Sequence, residues 1–453
     1  MPMSVTYRGH LRALLALGLP LIASHMAQFA IHVTDTLMLG WYDVRALAAV
    51  VLAGSFYFVF FIVGSGFAWA VMPMVASSAA SGDDAHVRRV TRMGLWISFL
   101  FAALIMPPLI WSEQLLKLLG QEPQTAALAQ SYLRIAGWGV FPSLWVMVLK
   151  SYLAALERTR VVLLTTLIAA ALNAAVNWLL IFGNLGLPEM GLRGAAIASV
   201  ATQLLSLLIL CMYAKHAMPE HALFQRLWRP DREAFNRVFR LGWPIGLTNL
   251  AESGLFSASA LMMGWIGTIE LAAHGIAIQL ASLTFMVHMG LSNAATVRAG
   301  NAFGRKDEAH LRIGGKVALA LSMAFALFTM GVFLSVPDLL IGAFVDPTDP
   351  ARPRILAVGA SLLAVAAIFQ LADGAQVVAL GLLRGVQDTR VPMLLATISY
   401  WIVGLPSSYA LGFWVGLGGV GLWLGLVIGL ALAGWLLLRR FWAKAVFMDT
   451  ALA

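Results

Sequence analysis

Apolar residues along this chain come in runs and do not alternate with polar ones. Each run lasts about 20 residues or more, and short stretches rich in Gly, Pro and charge separate them. A run of that length crosses a hydrocarbon layer about 30 Å thick as a helix. In lipid only a helix or a closed barrel pairs every backbone N–H and C=O, and barrel strands alternate over about 10 residues, which these runs do not. The pattern predicts twelve spans, at roughly 11–40, 46–72, 89–112, 128–152, 161–183, 191–214, 236–265, 271–297, 312–336, 354–384, 391–412 and 416–440. The short connections leave no room for a soluble domain.

The pattern also repeats. LGLP (17–20) returns as LGWP (241–244), an offset of 224. At that same offset Gly40 and Trp41 fall on Gly264 and Trp265, and ALAAVVLA (46–53) falls on ELAAHGIA (270–277). TRV (159–161) returns at 389–391, an offset of 230, and GLRGAAIA (191–198) returns as GLGGVGLW (416–423), an offset of 225. Matches in one order with so little drift indicate two six-helix halves, 1–215 and 236–453, joined by a polar cytoplasmic linker, 216–235. Six spans per half is even, so both halves enter the membrane from the same side. The repeats are therefore parallel, an arrangement seen among transporters. The expected fold class is an all-α polytopic membrane protein, twelve transmembrane helices in two pseudo-symmetric six-helix lobes. Two such lobes suit alternating access.

Composition agrees, and charge changes the picture further. Of the 453 residues, 60% are hydrophobic and 11% charged, against about 25% charged in soluble proteins. The net charge of +9 would suit nucleic acid, but its distribution argues against that partner. With loops taken alternately, Arg45, Lys117, Arg134, Arg193, Arg352 and Arg354 are the only six of the 30 Lys and Arg on one side, leaving 24 on the side of both termini. That is the positive-inside pattern, so both termini are expected in the cytoplasm. The one cysteine, Cys211, lies in the sixth span and allows no disulfide within the chain. Arg8 and Arg12 precede a long apolar run with no convincing cleavage site, so this run reads as a first span and not a signal peptide.

Three acids fall well inside the spans: Asp35, Glu252 and Asp373. No Lys or Arg is expected at comparable depth. Each charge costs about 2.5–3.5 kcal/mol at the membrane centre, so three cost on the order of 8–10 kcal/mol, comparable with a whole stability of about 5–15 kcal/mol. Such groups must be protonated, hydrated, or matched by a cation from outside. His25, Gln28, His32 and Asp35 are spaced 3, 4 and 3 and share one helix face. Asn173 and Asn177, four apart in the fifth span, are candidates for the same cavity. In the second half Asn249 and Glu252 are three apart, with Ser259 a heptad further on, and Gln370, Asp373 and Gln376 run at spacing three. Carboxylates with amide neighbours form an oxygen-rich set that suits a hard cation such as Na⁺, with Glu252 and Asp373 as its ligands. Close carboxylates also favour protonation, and the spacing leaves both open. Arg298 and Asn301 read as interface anchors of the eighth span. Methionine is plentiful, which suits an adaptable pocket, though most should make ordinary core or lipid contacts. There is no P-loop, no metal-binding cysteine cluster and no GxSxG, so neither catalysis nor a resident cofactor is expected.

These residues resemble the MATE family, the multidrug and toxic compound extrusion transporters, and its NorM-like branch in particular. The stretches that carry the resemblance are LGLPLIASHMAQFAIHVTDTLMLG (17–40), LNAAVNWLLIFG (172–183), GLRGAAIAS (191–199), LGWPIGLTNLAES (241–253), VRAGNAFGR (297–305) and QLADGAQVVALGLLRGVQDTR (370–390). The resemblance implies an inverted-V pair of six-helix lobes that exchanges drugs for Na⁺ or H⁺. It makes Asp35 the acid of the first lobe with Asn173 and Asn177 as companions, and Glu252 and Asp373 the acids of the second. That branch often has an aromatic one turn before the second of these acids, a place Phe369 fills; where relatives carry Tyr, Phe removes one hydroxyl from the cation's surroundings. The expected activity is a secondary antiporter, monomeric, in a bacterial inner membrane, that expels lipophilic or cationic small molecules. The alternative is a lipid-linked saccharide flippase of related fold, which would favour cationic residues in place of these acids.

Overall fold

The computed structural model describes residues 6–447. Its long helices are α1 (Tyr7–Tyr42), α2 (Val44–Ala80), α3 (Asp84–Ile110), α4 (Pro123–Ala155), α5 (Thr159–Phe182), α6 (Gly191–Ala217), α7 (Arg232–Ile266), α8 (Thr268–Gly304), α9 (Glu308–Ser335), α10 (Arg352–Gly385), α11 (Arg390–Trp414) and α12 (Gly418–Ala445). All but α7 are long and apolar enough to cross a membrane, eleven among the described residues. Helix α7 is as long as the others at 35 residues, but Asn249, Glu252 and three serines dilute its middle. It occupies the seventh expected span. No strand occurs among the described residues. Large apolar side chains such as Leu104, Leu208, Leu261, Phe328 and Ile402 are each more than half exposed, as a lipid-facing surface requires.

The duplication is visible in helix ends that the repeat in sequence did not flag. Asp83 accepts a bond from His86 N at 2.9 Å and Asp307 accepts one from His310 N at 3.0 Å. Both are N-caps, of α3 and α9, and they lie 224 positions apart. The turns just before them use positive φ at Gly82 and Lys306, and the turns after α4 and α10 use it at Glu157 and Gln387. A non-glycine residue pays a steric penalty there, yet the backbone keeps the turn in both copies. A short helix follows α3 (Ser112–Leu118) and another follows α9 (Pro337–Gly342).

The chain forms two compact units whose boundaries fall inside helices: residues 1–22 with 247–453, and residues 23–246. Ile22 and Gly246 are themselves 224 positions apart, so the division respects the repeat. The packing explains it. In the unit of residues 23–246 the start of α7 crosses α2, and a Cβ on Gly66 would lie 2.3 Å from Gly246 N and 2.5 Å from Gly242 O. In the other unit the start of α1 crosses α8, and a Cβ on Gly290 would lie 2.4 Å from Ile22 Cγ1 and 2.8 Å from Ile22 N. Only glycine lets the backbones approach this closely, the usual device of membrane helix pairs. Within the unit of residues 1–22 and 247–453, α10 is the hub and packs against α8, α9 and α12. Within the unit of residues 23–246, α2 packs against α3 and α4, and α5 packs against α6.

Candidate functional site

In the unit of residues 23–246, an apolar cluster of Leu39, Ala46, Ala49, Ile181, Leu192 and Ala195 ties together the ends of α1, α2, α5 and α6. It fixes α1 one turn from Asp35 and α5 one turn from Asn177. Asn177 Nδ2 donates to Asp35 Oδ1 at 2.5 Å and to Asn173 Oδ1 at 3.2 Å. Both asparagines are fully buried, while Asp35 is half-buried. Ser199 and Tyr132 stand beside the carboxylate. The structure thus brings Asp35, Asn173 and Asn177 together as expected. Gln28 and His32 do not join them: both are exposed and make no side-chain hydrogen bond among the described residues. Two atoms of the centre, Asn173 Nδ2 and Asn177 Oδ1, are buried without a hydrogen-bond partner.

A second polar group in this unit was not legible in spacing. Ser24 and Thr166 share a hydroxyl–hydroxyl bond of 2.9 Å, and Lys150 Nζ donates to Thr166 Oγ1 at 2.9 Å. Lys150 is only partly exposed.

In the other unit Glu252 of α7 faces α10. Gln376 Nε2 donates to Glu252 Oε1 at 2.6 Å, and the Tyr400 hydroxyl of α11 donates to Gln376 Oε1. Tyr400 lies in a π-helical stretch, Ile398–Gly404. Pro406 just beyond it lacks an N–H donor, and a widened turn of this kind recurs at functional sites. Asp373 sits one turn before Gln376 and is 2% exposed. Its Oδ1 has no hydrogen-bond partner, and neither amide atom of Gln370 has one. Such atoms are costly to bury, about 1–3 kcal/mol each, so the arrangement leaves acceptor oxygens waiting for a partner.

Two expectations need revision here. Positive charge is not absent from this depth: Arg384 Nη2 donates to Asn249 Oδ1 at 3.0 Å, one turn from Glu252. Arg298 is not an exposed interface anchor: it is buried and its Nη2 donates to His10 Nδ1 at 3.2 Å. Phe369 brings no oxygen, as expected. Its ring stacks edge-on with Trp423 at 5.5 Å and with Phe256 at 6.0 Å, and Tyr400 supplies a hydroxyl from another helix instead. Ser259 bonds back to its own helix at Phe256 O and is no part of the centre. Among the described residues no group of three or more His, Cys, Asp or Glu is placed to hold a metal ion, so a cation here would rely on amide oxygens beside the two carboxyls.

Acids set within duplicated apolar helices are the pattern of a membrane transporter, and the chain belongs to the MATE family. The MatE family model matches residues 20–179 and 244–410, once in each half and again starting 224 positions apart. Its relatives include a probable multidrug resistance protein NorM of Rhizobium meliloti (strain 1021), 46% identical over 434 residues, 95% of this chain and 93% of that one. The corresponding NorM protein of Agrobacterium fabrum is 44% identical over 440 residues, 97% of this chain and 95% of its own. Among solved structures, the eukaryotic MATE transporter AtDTX14 superposes with a TM-score of 0.88 at 18% identity, covering 98% of each chain. An outward-facing multidrug resistance MATE transporter superposes with a TM-score of 0.87 at 19% identity, covering 97% of each. At those identities the structural likeness speaks for the fold.

Proposed function

We propose that this protein exports lipophilic and cationic small molecules in exchange for Na⁺ or H⁺, by alternating access, from a bacterial inner membrane with both termini in the cytoplasm. One observation carries the reading. Asp373 Oδ1 and the Gln370 amide are buried without partners, on the helix face whose next turn, Gln376, holds Glu252. A mobile cation or proton satisfies the two oxygens, Asp373 Oδ1 and Gln370 Oε1, when present and leaves when cargo arrives. Asp35, with its single amide clamp, serves the same exchange in the first half, and Asn249 holds Arg384 near Glu252. The drive is ample: one charge moving down 100 mV releases about 2.3 kcal/mol, which sustains roughly a 50-fold cargo gradient.

The test is transport in proteoliposomes, with Na⁺ and pH gradients imposed separately. Wild type is expected to move a cationic dye against its gradient under at least one of them, and Glu252→Gln and Asp373→Asn to abolish that movement. Gradient-driven transport at the wild-type rate in both variants would remove these acids from the coupling step.

A further inference from the structure

The linker between the halves is strapped down in the structure. Arg92 of α3 donates from Nε to Leu223 O at 2.8 Å and from Nη2 to Ala222 O at 2.7 Å. Trp96 Nε1 donates to Leu227 O at 2.7 Å, and Tyr152 Oη and His221 Nδ1 share a bond of 2.5 Å. Asp231 Oδ1 accepts from Ala234 N at 3.1 Å and caps the start of α7. Backbone fixed in this way walls a cavity of about 460 Å³ together with the first turns of α3.

The charge around that cavity is one-sided. Arg88, Arg89, Arg92, Arg229 and Arg232 line it against a single carboxylate, Asp231. Arg89 is already engaged, with Nε on Asp231 Oδ2 at 2.5 Å and Nη2 on Glu233 Oε2 at 2.7 Å, and Arg92 is engaged with the two carbonyls. Arg88, Arg229 and Arg232 have no side-chain hydrogen bond or ion pair among the described residues. Three like charges lining one cavity repel one another until an anion joins them. Guanidinium forks match phosphate oxygens two at a time. Trp228, beside Arg229, is 75% exposed, as aromatic residues at a membrane interface are. Basic clusters flanking membrane helices attract anionic headgroups.

We propose that this cavity is a binding site for a phosphate-bearing anion, held by Arg88, Arg229 and Arg232. Its two sources are the headgroup of an anionic membrane phospholipid and a soluble phosphate ester. Once bound, the anion ties α3 to the chain entering α7 and so tightens the linker. The inference stands apart from the transport reading, since none of these residues belongs to either carboxylate centre.

The experiment uses the full chain in phosphatidylcholine nanodiscs. One arm titrates glycerol 3-phosphate; the other adds phosphatidylglycerol to the nanodisc, with native mass spectrometry counting what the protein retains. Each arginine removed should weaken binding about fivefold, and R88Q/R229Q/R232Q about a hundredfold. R229Q alone supplies the readout if the triple variant does not fold. Retention of phosphatidylglycerol without glycerol 3-phosphate binding identifies the lipid as the source, and saturable glycerol 3-phosphate binding identifies the soluble ester. Equal binding of both probes by wild type and variants, or binding of neither by wild type, overturns the site.

Discussion

The two carboxylate centres sit on duplicated helices but not at duplicated positions. Across the 224-residue repeat, Asp35 corresponds to Ser259, and Glu252 corresponds to Gln28. The first half therefore keeps its acid two turns further along α1 than the second keeps its acid along α7. The surroundings differ as well. Asp35 is held by one amide that also bonds a second, whereas Glu252 is the end of a chain through Gln376 to Tyr400, with Asp373 and Arg384 nearby. A duplicated scaffold has thus kept its backbone turns, caps and glycine crossings while its polar interior diverged. The backbone is what the helices need in order to form and pack; the acids are free to specialise.

That contrast can be broken in graded ways. The largest effect is expected at Asp373 and Glu252, whose neutral variants should reduce ion-driven efflux to the leak rate. Next come the crossings, where the halves should behave alike. G66V and G290V each drive a branched side chain into backbone, overpacking that costs about 1–3 kcal/mol or more. Both should lower the yield of monodisperse protein in size-exclusion chromatography, Gly66 the more severely because its neighbours are all backbone. If G290V behaves as wild type, the crossing of α1 with α8 is not the counterpart of the crossing of α2 with α7.

Removing the amide clamps should cost less. Asn177→Ala removes the amide that donates to Asp35 Oδ1, at about 1–3 kcal/mol. Gln376→Ala strips partners from both Glu252 and Tyr400 and should lower the melting temperature further than Asn177→Ala does. Equal shifts in a thermal melt would mean that the second centre is no more networked than the first. The smallest effect is expected on the linker. The Arg89 guanidinium beside Asp231 holds its carboxyl below the usual carboxylate range. The carboxyl is depressed in the folded state, so its stabilisation is complete above the ordinary value near 3.9 and fades as pH falls through the lowered one. Being partly exposed, the pair is worth less than about 1 kcal/mol. D231N should therefore melt slightly below wild type at pH 7, with the gap closing below pH about 4; a gap that widens in acid would contradict the assignment.

Much of this architecture was legible in the residues. Continuous apolar runs gave the spans, and α3, α4 and α10 start before the expected boundaries because a capped or proline-started first turn carries the helix past the apolar stretch. The spacing of Asn173 and Asn177 and the triplet 370, 373 and 376 also placed polar groups on the correct faces. Periodicity along one helix tells which side is polar, but not which neighbour that side meets. The Gln376–Glu252 bond, the hydroxyl of Tyr400 and the reach of Arg384 to Asn249 join residues more than 20 positions apart, so no local pattern announces them. Gln28 and His32 show the converse: they share a stripe with Asp35, yet the amides of α5 select only the acid. Lys150 escaped notice because it ends an apolar run, where a basic residue reads as an interface charge.

The central claim is that cargo and a cation compete for the acids of α7 and α10. Purified protein in weakly buffered detergent solution, given a saturating cationic dye, tests this without any gradient: a pH electrode follows released protons while ²²Na⁺ preloaded on the protein follows released sodium. Wild type should release one of the two in proportion to dye bound, and D373N should bind dye with little release of either. Release from D373N at the wild-type level would contradict the account.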